Sequence, residues 1–499
     1  MAPWVVRSFS VIVLVAVVAS AFVAVEVPSN ASAYVPHVPV IIDGDSMFTL
    51  ENGVVGGSGT ELDPYIIEGW EFTGGYSGLC IRGTTKYVVE SNVYAHGNGV
   101  GMILDNVTKA AIREPVSSLN LQGWDYWGMY VNNPSQVEIS NCTLEMNIRG
   151  IYVASSSDCT IADNFLYFNT DGIILEDCSM MTLRSNVLDA TTEDSVTLAR
   201  CSSATVIDNT ISQSLPDSYC MTGIGIHDSV GVNVSGNALS FCVSAFHLTG
   251  SSGVELVQNV LDNGTMYCFE VYSSSEVTIL RNSIMNLTGM AAYVNGSDAV
   301  SIIDNEVSSW CYEGLHNLVL DWSTHCVVSG NLLADCVGGI SLWGSSLDHF
   351  ASHTIPGDNI WFGLPIAYIR DLDSFIVASP AVSQLILANC TDASIEDVLP
   401  ICLSIGLYFV SDVGVTGATI VSYFTTCIEA LHSNDVHISD SILMSDGWGI
   451  WLRDCANVSV DSCMINGGFG AAFVRLSQNV SITSNLITGV SVTWSTVSG

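Results

Sequence analysis

The sequence predicts an all-β fold, a right-handed parallel β-helix covered at its N-terminal end by a cap. Three observations lead there. An asparagine returns at Asn141, Asn164, Asn186, Asn209, Asn237, Asn259, Asn282, Asn305 and Asn331, at spacings of 22–28 residues, and a period of that size marks a stacked repeat array. Between the asparagines lie short Val- and Ile-rich runs of alternating apolar and polar residues, as in GIILEDCSMMTLRSNVL from Gly172 to Leu188, the pattern of half-buried strands separated by polar turns. Glycine stands before many first strands, at Gly128, Gly150, Gly172, Gly223, Gly314, Gly339 and Gly449, where a tight corner favours the positive φ that glycine takes without strain.

A leucine-rich repeat also ends its strand in asparagine, one residue, leucine. It is excluded because SEVTILRNSI has Ser274 where a further apolar residue is required, and because a second alternating strand follows (AAYV, Ala291 to Val294) in place of a helical segment. In a parallel coil like side chains stack at ~4.8 Å, so each repeat position becomes a column along the axis. An inward asparagine column can bond amide to amide and to turn backbone, satisfying groups that water cannot reach. The asparagines are therefore read as structural.

Taken in order, residues 1–33 read as a signal peptide: Arg7, an apolar run from Phe9 to Val25, and the small-residue site Ala31-Ser32-Ala33, which places the body outside the cytoplasm with no membrane span after cleavage. Residues 34–77 break the repeat and read as the cap that covers the first coil. Coils are expected over 78–344, with longer turns around Glu114 to Asp125 and Ser214 to Met221. Insertions of this kind tend to build a binding face. The first carries Trp124, Tyr126 and Trp127, which suit either sugar stacking or gap filling. Residues 345–400 read as irregular linking coils and 401–499 as further repeats. The closing WSTVSG supplies no charged or helical cap, so the lower end is expected to pair with something or to continue into more chain.

The net charge is −37, with 12% charged and 48% hydrophobic residues. Such a balance excludes disorder and disfavours nucleic acid, anionic lipid and polyuronates. Neutral glycans and other cell-surface proteins remain as partners. No cofactor is expected, although the acidic surface leaves room for a divalent cation. Sixteen cysteines recur at repeat positions (Cys178, Cys201 and Cys455 in one, Cys220, Cys242, Cys311 and Cys336 in another), which suits a buried column of small side chains; no zinc-type spacing is present, so no metal site is expected. Of ten Asn-x-Ser/Thr sequons, Asn30 leaves with the signal and Asn141 is read as inward. Asn106, Asn233, Asn263, Asn286, Asn295, Asn389, Asn457 and Asn479 remain as glycosylation candidates.

The coils resemble those of the pectate lyase-like superfamily, and more specifically the NosD-type β-helix proteins exported by archaea. The residues that carry the resemblance are GGSGTELDPYIIEGWEF at Gly56 to Phe72, the repeated G-I-x-L … V-x-I-x-x-N-x-I units, and DNIWFGLPIAY within His353 to Tyr368. The resemblance implies a secreted or cell-surface protein with carbohydrate-binding or sugar-hydrolase β-helix domains. The NosD name also implies copper delivery, for which the ten histidines and thirteen methionines form no short ligand cluster.

For catalysis the strongest constellation is Asp171 in FNTDG followed by Glu193 and Asp194 in TEDSV on the next coil. Carboxylates stacked this way can serve a glycoside hydrolase, one with a raised pKa acting as general acid. They resemble the Asn-Thr-Asp-Gly element and following acidic pair of polygalacturonases. Departures follow: Gly223-Ile224-Gly225 stands where that family has Gly-His-Gly, His227 is displaced, and no Arg-x-Lys element follows. Asp, Asn and Thr are also ordinary turn residues. The sequence therefore favours a non-enzymatic β-helix, structural or carbohydrate-binding, with a glycoside hydrolase as the alternative.

Overall fold

A computed structural model describes residues 34–118, 120, 126–215, 218–309, 317–334, 338–399, 403–422, 425–489 and 493–495. The fold is a right-handed parallel β-helix of about 17 turns. The signal-peptide segment and Trp124 lie outside the described residues.

Three walls of parallel strands form the first stack. The first wall has 13 strands, from Val40–Asp43 through Trp127–Asn132, Arg149–Ala154, Asp171–Glu176 and Asp194–Ala199 to Ile340–Trp343. Its alternate residues fill one continuous core with Ile151, Ile173, Val196, Ile224, Phe246 and Phe269. The cap is itself built on the walls: Val35–His37 and Val40–Asp43 pair in parallel with Trp70–Thr73 and Ser77–Thr84, while Val54–Gly56 runs antiparallel to Tyr65–Glu68.

The asparagine ladder runs from Asn164 to Asn359. From Asn186 onward each Oδ1 accepts the backbone N–H and the Nδ2–H of the asparagine one coil earlier: Asn237 accepts both from Asn209 at 2.9 Å. Its own Nδ2 donates to the Val206 carbonyl at 2.9 Å and to Asn259 Oδ1 at 3.0 Å. Every buried polar atom at this corner thereby gains a partner. Asn359 joins by accepting from Asn331 N at 3.2 Å and Nδ2 at 2.9 Å.

Asn141, expected in the ladder, stands outside it. It is exposed, with φ of 54°, and the ladder position of its coil is Cys142, whose N–H donates to Asn164 Oδ1 at 2.9 Å. From Asn164 to Asn331 the residue just before each ladder asparagine is left-handed (Asp163, Ser185, Asp208, Gly236, Gln258, Arg281, Asp304, Gly330). Asparagine tolerates that conformation too, so Asn141 is an asparagine in the neighbouring column, and its sequon is exposed instead of inward.

Two further ladders went unread in the sequence. Asn98, Asn120, Asn147 and Asn169 link another corner through Oδ1 acceptors at 3.0–3.2 Å. At the third corner the cysteine column of Cys178 and Cys201 continues as Ser229, Ser251, Ser274, Ser297 and Ser323, with Oγ atoms accepting the preceding N–H at 2.9–3.1 Å. These cysteines sit where a small hydrogen-bonding side chain is needed. Cys220 and Cys242 face each other in register on adjacent strands; Cys311 and Cys336 fall outside the described residues.

The glycines ahead of the first strands serve another purpose than expected. Gly128, Gly150, Gly172 and Gly223 lack positive φ. A Cβ at Gly172 would lie 2.3 Å from the Ser195 carbonyl oxygen and 2.5 Å from Leu188, and at Gly150 2.7 Å from the Gly172 oxygen. Close stacking of successive coils, not backbone handedness, demands glycine there.

Within 345–400 a short helix (Asp348–Ala351) is followed by Ile360–Trp361, which pairs in parallel with Leu332–Ala334 and turns back antiparallel onto Leu364–Arg370. Leu364–Arg370 opens a second stack, continued in parallel by Gln384–Ala388, Ser404–Tyr408, Ile428–Leu431, Trp448–Arg453 and Gly470–Arg475. Leu385, Leu387, Leu407 and Ala430 point into the second core. Ile386, Ala388, Tyr408 and Leu431 join the first core together with Phe350 and Trp361. The outer face of the second stack thus closes the lower end of the first, and Gln384 binds the last strand of the first wall through Ile340 N (2.9 Å) and O (2.8 Å).

One core position breaks the apolar rule. Glu90 lies between Ile67 and Ile112 in its column, fully buried, and its carboxylate oxygens have no partner. Burial raises its pKa well above the usual carboxylate value, so the neutral acid is favoured in the folded chain. Its contribution is complete below the unfolded pKa and is lost as pH rises through the folded one. Replacing Glu90 with Ile should therefore raise the thermal midpoint more at pH 8 than at pH 4, by the equivalent of about 2 kcal/mol at the higher pH; equal gains at both pH values contradict this. Asn237→Ala should cost roughly 3 kcal/mol, since it strips partners from two neighbouring coils, whereas Asn141→Gly should stay within about 0.5 kcal/mol. Thermal unfolding followed by circular dichroism measures both.

Candidate functional site

Register carries the outward residues of the first wall into columns. The middle column runs Tyr130, Tyr152, Ile174, Thr197, Gly225, His247, Glu270, Tyr293, Val319, Ser341. The one beside it runs Asn132, Ala154, Glu176, Ala199, His227, Thr249, Tyr272, Asn295, Asp321, Trp343. Over this stretch the wall is roughly 43 Å long at ~4.8 Å per strand.

At its upper end Trp127 stacks on Tyr130 and Tyr152 with centroids 4.6 and 5.2 Å apart, and the Arg149 guanidinium lies 5.6 Å from Trp127 and 5.4 Å from Tyr152. Half-buried Tyr126 precedes this platform, and its carbonyl accepts from Ile148 N and Arg149 N.

Asp171 and Asp194 begin adjacent strands of the same wall. Asp171 lies 3.6 Å from Arg149 Nε; burial raises its pKa against the opposing pull of Arg149, and the Asp194 charge adds to the rise. Glu193, one residue earlier than Asp194, is an exposed turn residue whose backbone N–H donates to the Thr170 carbonyl. The structure thus brings Asp171 and Asp194 together and leaves Glu193 at the edge.

Lower on the wall the side chains interlock. Glu270 accepts from Tyr272 OH at 3.0 Å and lies 3.0 Å from His247 Nδ1. Burial pushes its pKa up, but hydrogen bonds from His247, Ser244 and Tyr272 hold it below the ordinary value. Burial and the facing His247, 5.5 Å away, lower the His227 pKa. Tyr293 donates to Asp321 Oδ2 at 2.8 Å, as does Asn295 Nδ2, and burial with the Asp321 bond pushes the phenol up to about 12.

Asp321, Ser341 and Trp343, at the lower ends of the columns, open onto a cavity of about 390 Å³ at the corner where the two stacks meet. From the second stack come Gln384, Tyr408, Thr425, Glu429, Trp451 and Arg453. Tyr408 OH donates to Glu429 Oε2 at 2.9 Å. Burial raises the Glu429 pKa against Tyr408 and Arg453. Beyond the cavity, Trp451 meets Phe473 at 4.5 Å and Trp448 at 6.0 Å. Of the cavity residues the sequence points only to Gly339, and to that as a corner glycine. The others come from two stacks about a hundred residues apart, and their only sequence signal was the aromatic content of the outward positions in GIWLRD and SLWG.

The glycosylation candidates divide by exposure: Asn106, Asn286, Asn389, Asn457 and Asn479 are exposed, and Asn233, Asn263 and Asn295 half-buried. Asn295 is engaged with Tyr293 and Asp321 on the wall.

The chain matches the family described as periplasmic copper-binding protein (NosD) over residues 67–228, and the right-handed β-helix region over 171–333. No curated protein matches it in sequence. Among solved structures it is similar to the A-module of the mannuronan C-5 epimerase AlgE6 of Azotobacter vinelandii, with 12% identity over 59% of this chain and 89% of that one and a TM-score of 0.40. It is also similar to an exopolygalacturonase of Thermotoga maritima (13%, 53% and 85%, 0.36) and to tailspike protein 3 of bacteriophage CBA120 (12%, 62% and 53%, 0.40).

The copper named by the first family finds no matching donor set: among the described residues no group of three or more His, Cys, Asp and Glu could hold a metal ion, His247 is engaged by Glu270, and the described cysteines are buried. No helix among them is long and apolar enough to cross a membrane. In its strand stacking, corner ladders and sequence families, the chain is a NosD-like right-handed parallel β-helix.

Proposed function

We propose that this is an exported, non-enzymatic β-helix protein that binds neutral glycans along its first wall. The observation that carries the reading is the pair of outward columns, rich in tyrosine, histidine and carboxylate, that runs in register for the length of the wall. Aromatic rings offer apolar faces with polar rims, and half-buried, hydrogen-bonded carboxylates such as Glu176 and Asp321 offer fixed acceptors for hydroxyl groups. A chain of charge −37 whose wall also carries Asp171, Glu176 and Asp194 repels polyuronates. The family's description as periplasmic supports a place outside the cytoplasm, in keeping with the expected signal peptide.

Hydrolysis is less well supported. Asp171 is engaged by Arg149, and Glu193 stands at the edge of the wall.

On an array of neutral and uronic glycans the mature chain should bind neutral probes only, and Tyr272→Ala should weaken binding about tenfold; binding to no sugar overturns the reading. Asp194→Asn should leave bound neutral polysaccharide intact, as the parent does. Sugar release by the parent that disappears in Asp194→Asn would establish the hydrolase instead.

A further inference from the structure

We infer that the corner cavity is a terminal subsite, a site for the last sugar unit of a neutral glycan lying along the first wall. This rests on the wall's reading as a glycan-binding surface and goes beyond it by naming a separate site and what fills it.

Three observations converge. The first is termination. Ile340–Trp343 is the last strand of the first wall, and in place of a further strand the Gln384 amide occupies the backbone of Ile340. A ligand that follows the columns downward meets the second stack there.

The second is shape. The cavity measures about 390 Å³, within the range of small-molecule sites. Gly339 and Gly406 permit the close approach that frames it: a Cβ at Gly339 would lie 2.3 Å from Gln384 Oε1, and one at Gly406 2.8 Å from the Tyr408 ring.

The third is chemistry. Trp343 from the first stack and Trp451 from the second supply indole faces, while Glu429, Arg453 and Asp321 supply an acceptor, a donor and a second acceptor at the same cavity. This mixture of apolar faces with a few fixed polar groups is how a small polar ligand is oriented. One guanidinium beside two carboxyl groups gives no surplus positive charge for an anionic sugar. Glu429 is held by the Tyr408 hydroxyl at 2.9 Å and is thereby oriented before any ligand arrives.

The test uses the full mature chain and a printed series of gluco-, manno- and galacto-oligosaccharides, from disaccharides upward. Tyr272→Ala reports the wall; Trp451→Ala and the near-isosteric Glu429→Gln report the cavity, with thermal unfolding run on each. The cavity variants should lose binding of the shortest probes by about tenfold or more, while Tyr272→Ala should lose chiefly the gain in affinity with length. If the parent binds and both cavity variants bind short probes as the parent does, the terminal subsite is wrong while the wall stands. If the parent binds none of the series, the wall reading fails and the subsite with it. Glu429→Gln keeps the question answerable should Trp451→Ala fail to fold.

Discussion

The amide ladder is the constraint on which the rest depends. Turning a parallel sheet through a corner leaves backbone N–H groups with no strand partner, inside a core where water cannot serve them, and each unmet group costs on the order of 1–3 kcal/mol. From Asn164 to Asn359 the side-chain oxygen of one coil accepts that orphan N–H from the coil before it. The same amide then donates to a strand-end carbonyl, as Asn186 does to Ile161. The bond is between coils, so it fixes register as well as satisfying polarity. Serine hydroxyls do the same at another corner at lower reach, and thiols replace them at Cys178 and Cys201.

Register then determines surface chemistry. A slip of one residue would send every inward side chain outward, so the columns on the first wall exist only because the corners hold. The wall's end is defined by a second device: the outer face of the second stack, apolar at Ile386, Ala388 and Leu431, closes the first core. That solves the open-end problem of a solenoid with a second solenoid. It also creates the corner cavity, which is lined by residues of both stacks.

The fold was legible because repetition multiplies a weak signal. A single asparagine followed two residues later by an aliphatic side chain means little, while eight of them from Asn164 to Asn331 at near-equal spacing define a stack. Where one residue type suits two adjacent columns the sequence is ambiguous: Asn141 has the ladder's residue type but occupies the left-handed position beside it, since asparagine is at home in both. Glycine misled in the same way, as conformational freedom and absence of a side chain leave the same letter in the sequence and only the 2.3 Å clearance at Gly172 separates them. Asp171 and Asp194 could be placed together from the period alone. The cavity could not, because it depends on how the second stack docks on the first, through Gln384, Phe350 and Tyr408, residues whose contacts join parts of the chain far apart in sequence.

Backbone hydrogen exchange on the intact chain tests the ladder most directly. The amide protons of Asn186, Asn209, Asn237, Asn259 and Asn282 sit at corners, where turn amides ordinarily exchange quickly, yet each is held by an oxygen of the next coil. They should exchange as slowly as the amides of the wall strands. Exchange as fast as that of exposed, loosely held turn residues would contradict the ladder as the force that fixes the coils in register.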